Sequence, residues 1–196
     1  MTEDRETWLR HFFFLALFAA AFHSLQFITS FWLWIGTNSA ALMSYGLDAA
    51  VSATAALVLA ARIQRDWRNK FVAYGYMAAA AISFYLGVST LWSGRWPKAN
   101  VLGIVVAAVS MLVIPILGSY MKTLAVELRN QALKSAAIFT FGNSYLSMVL
   151  LIGMLMSYAM NLRWGDPLAA LVMFPFMAQK GIQILVEEGK HEYVED

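Results

Sequence analysis

Residues 101–121, VLGIVVAAVSMLVIPILGSYM, run without one charged side chain. About 20 apolar residues, rising 1.5 Å each in a helix, cross the roughly 30 Å hydrocarbon core of a bilayer. This run is therefore long enough to span. A transmembrane strand would show about 10 residues of alternating polarity, whereas this stretch is apolar on every side. A helix is predicted, because a helix satisfies each backbone N–H and C=O within the span itself.

Working outward from this stretch, five others meet the same criterion, at 12–34, 39–61, 71–92, 132–160 and 167–186. The first is too long for a signal-peptide core and lacks a small-residue cleavage site before Trp32 and Trp34, so it reads as a mature span. The composition agrees, with 13% charged and 60% hydrophobic residues, where a soluble domain carries about 25% and 45–50%. The predicted fold is all-α: a polytopic membrane protein built as a six-helix transmembrane bundle. Pro115 and Pro175 fall inside the fourth and sixth spans, where each removes one backbone hydrogen bond and is expected to kink its helix.

The 196 residues include no cysteine, which excludes a disulfide framework, a thiolate zinc site and a cysteine nucleophile. A net charge of +2 with no basic stripe gives no footing for nucleic acid. Near the span ends, one side carries Arg5, Arg10, Arg62, Arg65, Arg68, Lys70, Lys122, Arg129, Lys134, Lys180 and Lys190; the other carries Arg95, Lys98 and Arg163. Basic loops stay cytoplasmic, so both termini are expected in the cytoplasm of a bacterial inner membrane. The organisation expected is a cytoplasmic segment at 1–11, one membrane domain at 12–186 and a short acidic, cytoplasmic and disordered tail at 187–196.

An ionisable group at span depth costs at least ~2.5 kcal/mol and marks a site by default. Asp48 qualifies, in the run SYGLDAAVSATAALVLAARI, with Ser44 and Ser52 one turn before and after it on the same face. The alternative role is a buried Asp that only holds helices together. On the fifth span Asn143, Ser144 and Ser147 lie deep, with Thr140 one turn before Ser144, and such residues also form plain helix–helix contacts. The second span offers Gly46, Ala49, Ala50, Ala53 and Ala56 for close approach, so the second and fifth spans are expected to be neighbours. His23 lies inside the first span and His11 at its edge, a pattern that suits a helix–helix hydrogen bond better than a haem or metal ligand. Trp32, Trp34, Trp92, Trp96 and Trp164 gather at one predicted interface, where amphipathic rings sit without any cofactor.

Three segments carry a resemblance. TNSAALMSYGLDAAVSATAALVLAARI resembles the second span of the cation diffusion facilitators, exporters of zinc and related divalent metals in exchange for protons. LKSAAIFTFGNSYLS resembles their fifth span, and GDPLAALVMFPFMAQKGIQIL is similar to their Asp-Pro entry into the sixth; GYMAAAAI is a weaker match at the third. The resemblance implies six spans with both termini inside. It also implies a transport site of two i, i+4 pairs, carried over to Asp48, Ser52, Phe139 and Asn143, because four ligands on two facing helices give zinc its tetrahedral shell. Only Asp48 keeps a family ligand. Phe139 has no lone pair to donate, Ser52 and Asn143 are weak neutral ligands, and Ala136 replaces a further acidic position.

No metal site is therefore expected, and no zinc at micromolar affinity. The reading that follows is a non-transporting structural or accessory subunit of a larger membrane complex, with the bilayer and other membrane subunits or a second copy as partners. No cofactor is expected, while lipid or pigment contacts are compatible with the apolar surface. The alternative is a secondary transporter, cation/proton antiporter-like, of a divalent or altered cation held at Asp48, Ser52 and Asn143. An enzyme is disfavoured, because no nucleophile–base pair or metal cluster is visible.

Overall fold

The computed structural model describes residues 2–61, 69–98 and 100–192. Six helices follow one another: α1 (Thr2–Thr37), α2 (Ala40–Ala61), α3 (Lys70–Ser93), α4 (Val101–Glu127), α5 (Gln131–Tyr158) and α6 (Gly165–Glu192). All six are long and apolar enough to cross a membrane, and the described residues contain no strand. The protein is an integral membrane protein. Arg62, Arg65 and Arg68 of the basic count, and residues 193–196 of the acidic tail, lie outside the described residues.

Polar side chains set the helix starts. Asn69 accepts a hydrogen bond from the Phe71 amide at 2.9 Å, and Asn100 accepts one from Leu102 at 2.8 Å, the usual N-cap geometry. The stops use left-handed residues, Asn38 after α1 and Gly94 after α3, with φ of 55° and 63°. Three helices outrun their spans, α4 by six residues past Met121 to Glu127. α1 begins at Thr2, ten residues ahead of the expected apolar start at Phe12, and α6 continues through Glu192, so the tail begins as helix. At 1.5 Å per residue α1 is about 54 Å long, well beyond the hydrocarbon. α4 and α6 run uninterrupted through Pro115 and Pro175.

The helices pack as three intimate pairs, α1 with α2, α3 with α6, and α4 with α5. Missing side chains permit this. A Cβ on Gly118 would meet the Phe141 backbone at 3.0 Å, and one on Gly181 would meet the Ala73 carbonyl at 2.9 Å, so α4–α5 and α3–α6 touch backbone to backbone there. Gly46, expected to serve a contact with α5, faces Ser30 and Phe27 of α1.

Two apolar clusters fill the interior. One, towards the face where α1 starts and α6 ends, gathers Phe12, Ala16, Leu59, Val72, Met121, Leu133 and Ile184. The other, towards the opposite face, gathers Leu42, Ala80, Ala107, Leu146, Leu150, Met173 and Met177. Between them lies a layer of polar side chains.

Candidate functional site

Every helix contributes to that layer: His23 and Gln26 from α1, Tyr45, Asp48 and Ser52 from α2, Tyr76 from α3, Ser110 from α4, Asn143 and Ser147 from α5, and Lys180 from α6. Its centre is a charge pair. Lys180 Nζ donates to Asp48 Oδ1 at 2.7 Å, with the residues 8% and 2% exposed respectively. The same ammonium donates to Asn143 Oδ1 and sits 5.1 Å from the centre of the Tyr76 ring, within cation–π range.

The remaining bonds form one sequence with a consistent sense. Because the Asn143 oxygen takes the ammonium, its amide hydrogens face Ser52 Oγ at 3.0 Å and His23 Nε2 at 3.4 Å. His23 Nε2 then accepts, and Nδ1 carries the hydrogen that meets Gln26 Oε1 at 2.6 Å. The Gln26 amide donates to Tyr45 Oη and to Ser110 Oγ, each at 2.7 Å. Tyr45 Oη lies 2.9 Å from Ser147 Oγ, which donates to the Asn143 backbone carbonyl at 3.3 Å. Ser52 Oγ lies 3.0 Å from Tyr76 Oη. Among the described residues the buried Ser30 hydroxyl stands without a partner.

Three of the four family positions, Ser52, Phe139 and Asn143, line a cavity of about 30 Å³ together with His23, Tyr76 and Met121. That volume admits a water molecule or one small ion. The fourth position, Asp48, is not in its wall. The expected contact between α2 and α5 is present, made by the Ser52–Asn143 hydrogen bond. Other residues singled out from the sequence are occupied elsewhere. Ser44, Thr140 and Ser144 bond carbonyls of their own helices, at Ala40, Ala136 and Phe141. His11 is exposed on α1, far from the layer. Among the described residues, no three His, Asp or Glu side chains converge as metal ligands.

Lys180 corrects two expectations. It does not belong among the basic residues at the membrane edge, and Asp48 is not the only ionisable group at its depth. The reason is direction. Alternate helices cross in the same sense, so α2 and α6 both run towards the face carrying the chain ends. Helical side chains lean towards the helix N-terminus, which for Lys180 is inwards. Asp48→Asn would leave the ammonium without its counter-charge.

A second buried aspartate, Asp166, stands at the start of α6. Its carboxylate accepts from the Ser39 hydroxyl and from the backbone amides of Ala40 at 2.9 Å and Ala41 at 3.4 Å. Ser39 Oγ in turn accepts from Leu42 N at 3.0 Å. Asp166 thus caps α2 from another helix.

This arrangement defines a class: a six-span helical membrane protein with an ion pair buried at mid-depth. The family model described as the cation efflux transmembrane domain matches residues 71–190, and the chain belongs to that family. It is a family of membrane transporters, not of enzymes. The match covers α3 to α6 and includes Phe139, Asn143, Asp166 and Lys180; Asp48 and Ser52 precede it. No curated protein matches the chain.

Proposed function

We propose that this chain uses the cation-efflux fold without exporting a divalent metal, as a structural or accessory subunit of a larger complex in a bacterial inner membrane. One observation carries the reading: Lys180 Nζ lies 2.7 Å from Asp48, the only family ligand position that keeps its ligand type. A dication arriving beside this neutral pair would leave a net charge of two buried in low dielectric, where each unpaired ion costs several kcal/mol. Phe139 removes another ligand position. With Lys180 taken out of the basic count, ten Lys and Arg remain near one face against three near the other, which supports cytoplasmic termini. Exposed Phe14, Phe18, Phe31, Trp32, Tyr85 and Trp92 supply apolar surface for lipid, pigment or a neighbouring subunit.

The alternative, transport of a cation through Asp48, Ser52 and Asn143, draws support from the cavity beside them. Both readings are tested by purifying the chain in mild detergent and by measuring cation flux into proteoliposomes. The accessory reading expects a stoichiometric larger complex, no flux of zinc or other divalent ions and no micromolar zinc binding. Wild-type flux of a divalent ion, or an isolated homodimer with flux, would overturn it.

A further inference from the structure

We infer that the shell around Lys180 Nζ is a site for one monovalent cation, a primary ammonium above all, and that the chain fills it with its own side chain. The inference deepens the reading of this site as one that carries no divalent metal, and rests on it.

Charge balance selects the valence. The groups facing the ammonium are one carboxylate oxygen of Asp48, one neutral amide oxygen of Asn143 and the face of Tyr76. A single negative charge neutralises a single positive one, whereas a dication in the same shell would keep a full uncompensated charge between two apolar clusters. Hydrogen-bond chemistry selects the ligand. Two separate oxygen acceptors and an aromatic face suit a donor with several N–H bonds, and a primary ammonium offers three. Among the described residues an alkali ion would find the two oxygens that accept from Lys180 Nζ, with Ser52 Oγ one bond further on behind Asn143. The surrounding network is compatible with this polarity: with its oxygen on the cation, Asn143 turns its amide to Ser52 and His23.

Lys180→Ala removes Cγ, Cδ, Cε and Nζ, an outline that matches n-propylammonium atom for atom. The variant is prepared alongside wild type in n-propylammonium, potassium, sodium or magnesium chloride, and binding is followed by calorimetry and by thermal unfolding in detergent. The expected result is that n-propylammonium binds Lys180→Ala and raises its unfolding temperature, at about tenfold lower concentration than potassium or sodium. Magnesium should have no specific effect. Wild type should respond to none of these ions, and Asp48→Asn/Lys180→Ala should lose the ammonium response.

Equal or tighter binding of a divalent ion to Lys180→Ala would overturn the inference. So would failure to recover that variant folded in every one of these salts, since an external cation in the vacated shell is what should restore it. Divalent flux by the wild-type chain is a separate result, and would strike at the accessory reading instead.

Discussion

Asp48 and Asp166 are both buried carboxylates on membrane-spanning helices, and the protein satisfies them by opposite means. Asp166, at the very start of α6, meets two backbone amides and a hydroxyl at the N-terminus of α2, where four amides lack partners in their own helix. Dipoles suffice there. Asp48 sits mid-helix in α2, where every nearby amide is already spent on the helix, and it takes a whole ammonium from α6. The difference teaches that position within a helix decides which counterpart a buried charge needs. A charge at a helix start can be met by backbone, whereas one in the middle requires another ion.

The comparison is broken or sharpened most strongly at Lys180. Lys180→Met should cost about 3–5 kcal/mol in detergent unfolding, the range for stranding one member of a buried pair. Asp48→Asn should cost a similar amount, and Asp48→Asn/Lys180→Met should recover most of it, because no charge is then left over. A double variant as unstable as the singles would show that the pair is not what holds these helices. Asp166→Ala comes next, at about 1–3 kcal/mol, the cost of leaving buried donors unmatched; Asp166→Asn, which retains an acceptor oxygen, should recover part of that loss. If Asp166→Ala proved costlier than Lys180→Met, the distinction between dipole and ion would fail.

Ser39→Ala is expected to cost about 1 kcal/mol, as for a lost N-cap, measured by chemical denaturation against Ser44→Ala as an intrahelical control. The smallest change should come from Tyr76→Phe. It removes the hydroxyl facing Ser52 and leaves the ring against Lys180, so a loss within about 0.5–1.5 kcal/mol is expected. A greater loss would make the hydroxyl, and not the ring, the main contribution of α3 to the layer.

The six spans were legible because hydrophobic length is a local property, and the 101–121 run announces a helix from its own residues. Asp48 and Asn143 were legible for a related reason: polar side chains inside apolar runs stand out. Lys180 was not. It lies only six residues before Val186, close enough to the membrane edge that its sequence reads as a lysine bound for the interface. Only the sense of α6 across the bilayer, combined with the lean of helical side chains, sends it inwards. Gln26, Tyr45, Tyr76 and Ser110 were missed because each is ordinary alone and becomes notable only where six helices meet. The cap of Asp166 on α2 joins residues 126 apart in sequence, a distance over which no local pattern carries information.

The Asp48–Lys180 bond closes a gap of 132 residues, and that has a consequence in time. At about 5–20 residues per second of synthesis, the aspartate is made roughly 7–26 s before its lysine. During that interval α2 must either carry an unpaired Asp48 into the bilayer or wait at the membrane edge, because no other Lys or Arg is buried beside Asp48 among the described residues. Insertion of α6 is then the step that commits α2. A nascent chain interrupted before α6 should expose an unanswered carboxylate in the bilayer and so be a target for membrane proteolysis, while a completed chain escapes in a single event.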